Sequence, residues 1–190
     1  MTAINGDWLP KGWRTYDDVH GRKNTVTGTV LVWPKLASKD LDRSAEISVF
    51  LPPSLAKALK AETRNVRRYP VFYFHDGQNV FDDHTSHAGE WRVDETLQAL
   101  ARDGIEAIAV GIPNGHEARF DEYNPYRGRT PYTGRRVVGG KANEYLDWLT
   151  GEIKPLIDRT FPTDPSRDAT GTIGSSLGGL ISLYAMVRHP

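Results

Sequence analysis

The sequence contains no cysteine, and that single absence removes a disulfide framework, a thiolate metal cluster and a cysteine nucleophile together. Whatever chemistry the chain performs must come from hydroxyls, carboxylates, imidazoles or backbone groups. An excess of either charge is also missing, because 24 Lys+Arg balance 24 Asp+Glu. General nucleic-acid binders and polybasic membrane-surface binders rely on a broad positive field, so neither kind of partner is expected. Long apolar runs are lacking too. The longest, Ile105 to Ile112, is broken by Glu106 and Gly111 and falls well short of the roughly 20 residues of a spanning helix. The opening residues, MTAINGDWLPKGWR, carry no apolar h-region of a signal peptide. These absences together lead to the expectation of a soluble, cytoplasmic protein.

A chain of 190 residues is one domain by the usual prior of roughly 100 to 200 residues per domain. Residues 1–44 read as a polar, turn-rich N-terminal extension with a leading strand over Thr25 to Trp33. Its tryptophans Trp8, Trp13 and Trp33 are expected to pack this segment on a sheet. Residues 45–190 read as the N-terminal part of a single α/β domain. Ala45 to Leu51 places Ile47, Val49 and Leu51 on one face before Pro52 and Pro53 stop the strand. A short helix is expected around Leu55 to Leu59. Val71 to Phe74 is an unbroken apolar run, the mark of a strand buried on both faces of a parallel sheet. Helical spacing then appears over Arg92 to Arg102, ending at Asp103-Gly104, and a second buried strand over Ile105 to Ile112. Asn143 to Asp158 aligns Leu146, Leu149, Ile153, Leu156 and Ile157 on one stripe, with a kink expected near Pro155. Asp168 to Ile173 gives a third strand and Leu177 to Arg188 an apolar helix. The alternation predicts an α/β fold, with a mostly parallel sheet and antiparallel N-terminal strands.

The segment richest in chemistry is Ile173-Gly174-Ser175-Ser176-Leu177-Gly178-Gly179, which holds G-x-S-x-G as Gly174, Ser176 and Gly178. A nucleophilic serine on a sharp strand-to-helix turn needs small residues two before and two after it, because strand and helix nearly touch there. Both are glycine. The same glycines would also serve plain strand-helix packing, while a phosphate-binding turn is disfavoured by the lack of G-K-[ST] and G-x-G-x-x-G. Placement directly after a buried strand and before an apolar helix favours the nucleophile elbow, with Ser176 as the catalytic residue. A tetrahedral oxyanion needs two backbone donors. Leu177 supplies one at the helix N-terminus. The loop after Phe74, His75-Asp76-Gly77-Gln78-Asn79, offers the second at Gly77 or Gln78, with Gly77 letting the backbone approach the substrate; the plainer reading of this loop is a capped strand end.

In these residues and in several further blocks spaced along it, the chain resembles the esterase family of α/β-hydrolases that includes enterochelin-esterase-like, feruloyl-esterase-like and esterase-D-like enzymes. The matching blocks are ISVFLPP (Ile47 to Pro53), PVFYFHDGQNVFD (Pro70 to Asp82), VGIPN (Val110 to Asn114), RFDEYNP (Arg119 to Pro125), GGKANEYLDWLTGEIKPLIDRTF (Gly139 to Phe161) and TIGSSLGGLISLYA (Thr172 to Ala185). The resemblance implies an α/β-hydrolase three-layer sandwich and a serine carboxylesterase with a Ser-His-acid triad, in which Ser176 matches the nucleophile and His75 matches the family's strand-end histidine, read here as structural. Triad residues in this fold follow the order Ser, acid, His. After Ser176 no carboxylate remains and His189 is the sole histidine, thirteen helical residues on and so roughly 20 Å away. The expectation is therefore a fold incomplete at its C-terminal side, with acid and histidine beyond residue 190 and the present chain inactive alone; the alternative is a short product without the base. A non-catalytic ligand-binding module is the competing function.

Pro113 to Gly140 is a long Gly-, Pro-, Tyr- and Arg-rich loop. Its Arg119 and Tyr123 suit an anionic or aromatic acyl group of a small-molecule ester, against the plainer reading of a solvated loop pinned by its tyrosines. No cofactor or metal is implied. The grouping of Asp82, Asp83, His84 and His87 is read as solvated surface.

Overall fold

The computed structural model describes residues 8–63 and 65–189; the first seven residues, read above for a leader, lie outside it. The elements run β1 (Arg14–Thr15), α1 (Tyr16–His20), β2 (Thr29–Ala37), β3 (Ser44–Leu51), α2 (Pro53–Lys60), β4 (Val71–His75), α3 (Val93–Ala101) and β5 (Ile108–Ile112). They continue with α4 (Arg119–Glu122), β6 (Gly128–Arg129), β7 (Val137–Val138), α5 (Ala142–Trp148), α6 (Lys154–Thr160), β8 (Thr170–Ile173) and α7 (Leu177–Arg188). One six-stranded sheet has the order β1-β2-β3-β5-β4-β8. Strands β1 to β3 join β5 antiparallel, while β5, β4 and β8 run parallel. This is the mixed sheet that the sequence pattern predicts.

Period-two alternation sends the sheet's side chains into two cores. Leu31, Ile47, Val49, Val71, Tyr73, Ile108 and Val110 face one side and pack with Tyr145, Leu146, Leu149, Ile153, Leu156, Ile157 and Ile181. Val30, Val32, Phe50, Phe74 and Ala109 face the other and meet Tyr16, Val80 and Phe81, with Val93 and Leu97 of α3 partly buried against them. Each fully buried aliphatic side chain stabilises this arrangement by about 1.5–3 kcal/mol. Trp13 is buried, edge-on to Trp33 and to Phe161 at 5.7 and 5.1 Å, so the N-terminal segment is sewn onto the first core.

Several boundaries move for physical reasons. β2 starts at Thr29, not Thr25, because Gly28 has a φ of 78° and Thr25 and Thr27 spend their N–H groups on Asp82 and Asp94. The register of β2 also shifts between Trp33 and Leu36, where Pro34 cannot donate to the ladder. Left-handed Gly104 ends the turn after α3, so Ile105 stays exposed and β5 begins three residues later. β5 is buried throughout. β4 is not: Phe72 is 36% exposed and its ring lies over Gly171 of the edge strand β8, where a Cβ would come within 2.7 Å. The predicted long helix divides into α5, a π-helical turn Leu149–Ile153 and α6. Pro155 has no N–H and its ring collides with the carbonyl four residues back, and the wider π turn makes the room. The 113–140 loop contains α4 and the small β6–β7 hairpin.

Candidate active site

The parallel strands β4, β5 and β8 end level, with Phe74 opposite both Gly111 and Ile173. The loops leaving their C-terminal ends are therefore neighbours, the usual place for ligands in open α/β sheets. Glycines set how closely they approach. A Cβ on Gly174 would lie 2.4 Å from the Gly178 carbonyl carbon, and one on Gly178 would lie 3.3 Å from Asp76 Oδ2 and 3.4 Å from His75 Cβ. The turn after β8 thus sits directly on the end of β4.

Ser176 stands between these glycines with φ 56° and ψ −118°, a conformation that costs a non-glycine residue about 1–3 kcal/mol. It is exposed. Its carbonyl accepts from Leu180 N–H at 3.1 Å and that of Ser175 from Gly178 N–H at 2.8 Å, so α7 starts at Leu177, whose own N–H is among the unpaired donors of a helix start. Among the described residues no histidine is hydrogen-bonded to the Ser176 hydroxyl.

On the β4 side, Asp76 is left-handed at φ 57° and ψ 45° and caps a 3-10 turn over Gly77–Asn79. The bonds Asn79 N–H to Asp76 and Val80 N–H to Gly77 close that turn and leave the N–H groups of Gly77 and Gln78 without acceptors among the described residues. The Gly77 requirement has a different origin from the one inferred above. A Cβ there would fall 2.2 Å from Ile112 N, so it is the β5 backbone, on the inner side, that excludes any side chain. Gln78 is held at both ends: its Oε1 accepts from Asn114 N–H at 3.2 Å and its carbonyl from the Thr85 hydroxyl at 2.7 Å.

Asp76 is the hub of this region, a role the sequence pattern does not mark. Its Oδ1 accepts from Asn114 Nδ2 and Arg119 Nε, both at 2.6 Å, and its Oδ2 from Arg119 Nη2 at 2.7 Å. Its N–H donates to the Tyr123 hydroxyl at 3.1 Å. Arg119 lies over the Tyr123 ring at 5.2 Å, and bonding to Asp76 raises its pKa still further. Arg119 is one-fifth exposed at its side chain, but Tyr123 is completely buried. In this structure Tyr123 braces the Asp76 turn from within the core. The one signal available was the nearness in sequence of VGIPN, which closes strand β5 and carries Asn114, to the polar block RFDEYNP, which carries Arg119.

His75 is fully buried, with Nδ1 2.8 Å from the Tyr145 hydroxyl and Nε2 unpartnered among the described residues. Burial pushes its pKa down to about 4 against the attraction of Asp76, so it is neutral at pH 7. Of the acidic and imidazole group at 82–87, Asp82 is buried rather than solvated. Burial raises its pKa, but hydrogen bonds from His84 and Thr25 N–H and from Tyr16 outweigh this and hold it below the usual range. A cavity of about 580 Å³ opens beside Asp76, Gln78, Asn79, Thr85, His87, Asn114 and Arg119. Ser176 is not in its wall; Asp76, in contact with the Gly178 position, joins the two. Among the described residues no helix is long and apolar enough to cross a membrane.

A family model described as "Putative esterase" matches residues 38–190. The chain is 31% identical over 126 residues to the siderophore triacetylfusarinine C esterase of Aspergillus fumigatus, covering 64% of this chain and 40% of that protein. It is 28% identical over 143 residues to the uncharacterized protein YbbA of Bacillus subtilis (strain 168), covering 75% and 51%. An IroE-like serine hydrolase from Shewanella oneidensis superposes with a TM-score of 0.59 at 25% identity, over 81% of this chain and 45% of that one. The siderophore hydrolase EstA from Aspergillus nidulans gives 0.63 at 16% identity, over 100% and 57%, a likeness of fold. The chain spans about half the length of the curated relatives it matches. Because the matched stretch includes every strand end just described, the chain belongs to this esterase family and carries its α/β-hydrolase fold.

Proposed function

We propose that the protein is a serine hydrolase that cleaves small-molecule carboxylic esters through an acyl-enzyme on Ser176. The observation that carries this is the backbone of Ser176, held at positive φ between Gly174, where a Cβ would collide with the Gly178 backbone, and Gly178, where one would press tightly on Asp76. A strained residue exposed at a strand end persists only when its surroundings force it, and here the residue so held is exposed immediately before the N-terminus of α7. In the proposed reaction the Ser176 oxygen attacks the ester carbonyl. The N–H of Leu177, with that of Gly77 or Gln78, receives the oxyanion, and collapse expels the alcohol; water then releases the acid. Asp76, clamped by Arg119 and Asn114, fixes the turn that carries the second donor. The cavity beside Asp76 and Arg119 is the proposed seat of the acyl or alcohol group.

The reading requires a histidine base and a carboxylate behind it. His75 is buried, neutral and tied to Tyr145, so the proposal assigns both roles to residues after position 190. Siderophore ester hydrolysis by the Aspergillus fumigatus relative supports an ester of this general class.

Steady-state hydrolysis of p-nitrophenyl esters by the full-length protein tests the reading. Ser176→Ala is expected to lower kcat by about 10³-fold or more, the scale of losing a nucleophile that works with its base. Equal rates in the two proteins would instead favour the ligand-binding module.

A further inference from the structure

The loop that walls the cavity runs on from Asn79 to Glu90 and Trp91 before α3 begins, and at that far end three carboxylates converge. One ligand oxygen from each of Glu90, Asp94 and Glu95 lies within 4.8 Å of the others. Asp94 is completely buried. Its Oδ2 is occupied by the N–H and hydroxyl of Thr27, at 2.6 and 3.2 Å, but its Oδ1 has no partner among the described residues, and neither has the buried Oε2 of Glu95. Buried polar atoms are nearly always paired, and those that are not call for an ion, a water or a functional reason. The only cation bonded to this cluster among the described residues is Arg92, 3.5 Å from Glu95 Oε1 and 70% exposed. Glu90 adds a third negative charge, held in place by the Thr25 hydroxyl at 3.1 Å.

We propose that Glu90, Asp94 and Glu95 form a binding site for a divalent, oxygen-seeking cation, Ca²⁺ in preference to Mg²⁺. Donor type decides the class: three carboxylates with no nitrogen or sulfur ligand suit hard cations and disfavour zinc or copper. Ligand count decides within it. Mg²⁺ dehydrates reluctantly and is usually held by only one or two carboxylates, whereas three converging carboxylates, two of them offering buried oxygens, suit Ca²⁺, with water and bidentate coordination completing its shell. The unpartnered Asp94 Oδ1 and Glu95 Oε2 are the two buried ligands, and Glu90 is the partly exposed one at the mouth. A bound ion would tie the first turn of α3 to the cavity loop and, through Thr25 and Thr27, to the segment before β2. Since Asp94 is buried and fixed by Thr27, 67 positions away, only in the folded chain, binding stabilises the fold.

The test is isothermal titration of the chelator-treated, purified protein with CaCl₂ and separately with MgCl₂, alongside thermal melts. Expected are one Ca²⁺ site, weaker Mg²⁺ binding, and a melting temperature that climbs with the logarithm of Ca²⁺ concentration. Glu90→Gln should weaken Ca²⁺ binding by about tenfold, since affinity follows the ligand charge count, and Asp94→Asn should abolish it. If Asp94→Asn does not fold, Glu90→Gln and Glu95→Gln carry the comparison. No heat and no shift at millimolar Ca²⁺, or isotherms unchanged in the variants, would overturn the site. So would a protein indifferent to Ca²⁺ whose melting temperature falls as pH rises through neutrality, because a shared proton would then hold the carboxylates together.

Discussion

Replacing Arg119 with methionine removes the guanidinium from Asp76 while keeping much of the side chain's volume. The carboxylate is 5% exposed and Arg119 21%, and two of the three charge-assisted bonds that reach Asp76 Oδ1 and Oδ2 come from that one residue. Breaking a buried ion pair from one side costs about 3–5 kcal/mol, most of it from the charge left behind. Asn114 remains as a donor and the arginine is partly wet, so the lower end, about 3 kcal/mol, is expected. Set against a typical total of about 5–15 kcal/mol, that is a large share. Urea unfolding followed by tryptophan fluorescence should show the midpoint falling with the slope unchanged. Adding Asp76→Asn to Arg119→Met removes the orphaned charge and should recover part of the loss. Because the pair also fixes the Gly77–Gln78 turn, ester hydrolysis under conditions where the variant stays folded should drop at least about tenfold. A loss below about 1 kcal/mol, or a double variant no more stable than the single one, would refute the reasoning.

Two glycine substitutions should move stability in opposite directions in thermal melts. Gly174→Ala forces a Cβ to within 2.4 Å of the Gly178 backbone and should cost about 1–3 kcal/mol or more, while Gly151→Ala meets nothing within 4 Å and should gain about 0.5–1 kcal/mol. Ser176→Gly relieves the positive φ and should stabilise the fold by about 1 kcal/mol while abolishing ester hydrolysis. His75 titrates at about 4 when folded and near 6.5 when unfolded, so the unfolded state binds more protons between these values. Stability should therefore be full above pH 6.5 and decline by about 3 kcal/mol as pH falls to 4, with the decline flattened in His75→Asn; equal pH profiles would contradict the assignment.

Features that depend on neighbours in sequence were legible in it. The strand, glycine turn and apolar helix around Ser176 are local, and α7 spans the predicted Leu177–Arg188. The stripe from Leu146 to Ile157 is buried as its spacing requires. What escaped depends on contacts across the chain. Asp76 meets Arg119 43 positions away, and no periodicity links a strand-end aspartate to an arginine in a later loop. Tyr123 suited an aromatic or anionic acyl group because arginines and tyrosines share its loop, with pinning of the loop as the alternative, and the fold buries it against His75 and Tyr145. Asp94 sits on a helix face whose apolar spacing pointed to Val93 and Leu97, and its burial is created by Thr25 to Gly28 folding over it. In a chain without cysteine, hydroxyl and carboxylate groups supply both proposed sites.

Ser176 as a nucleophile is tested most directly by incubating the full-length protein with a fluorophosphonate, followed by intact-mass measurement and peptide mapping. One adduct per chain is expected, mapped to Ser176 and lost in Ser176→Ala. A folded protein, verified by circular dichroism, that takes up no adduct or takes it up at another residue would contradict that role.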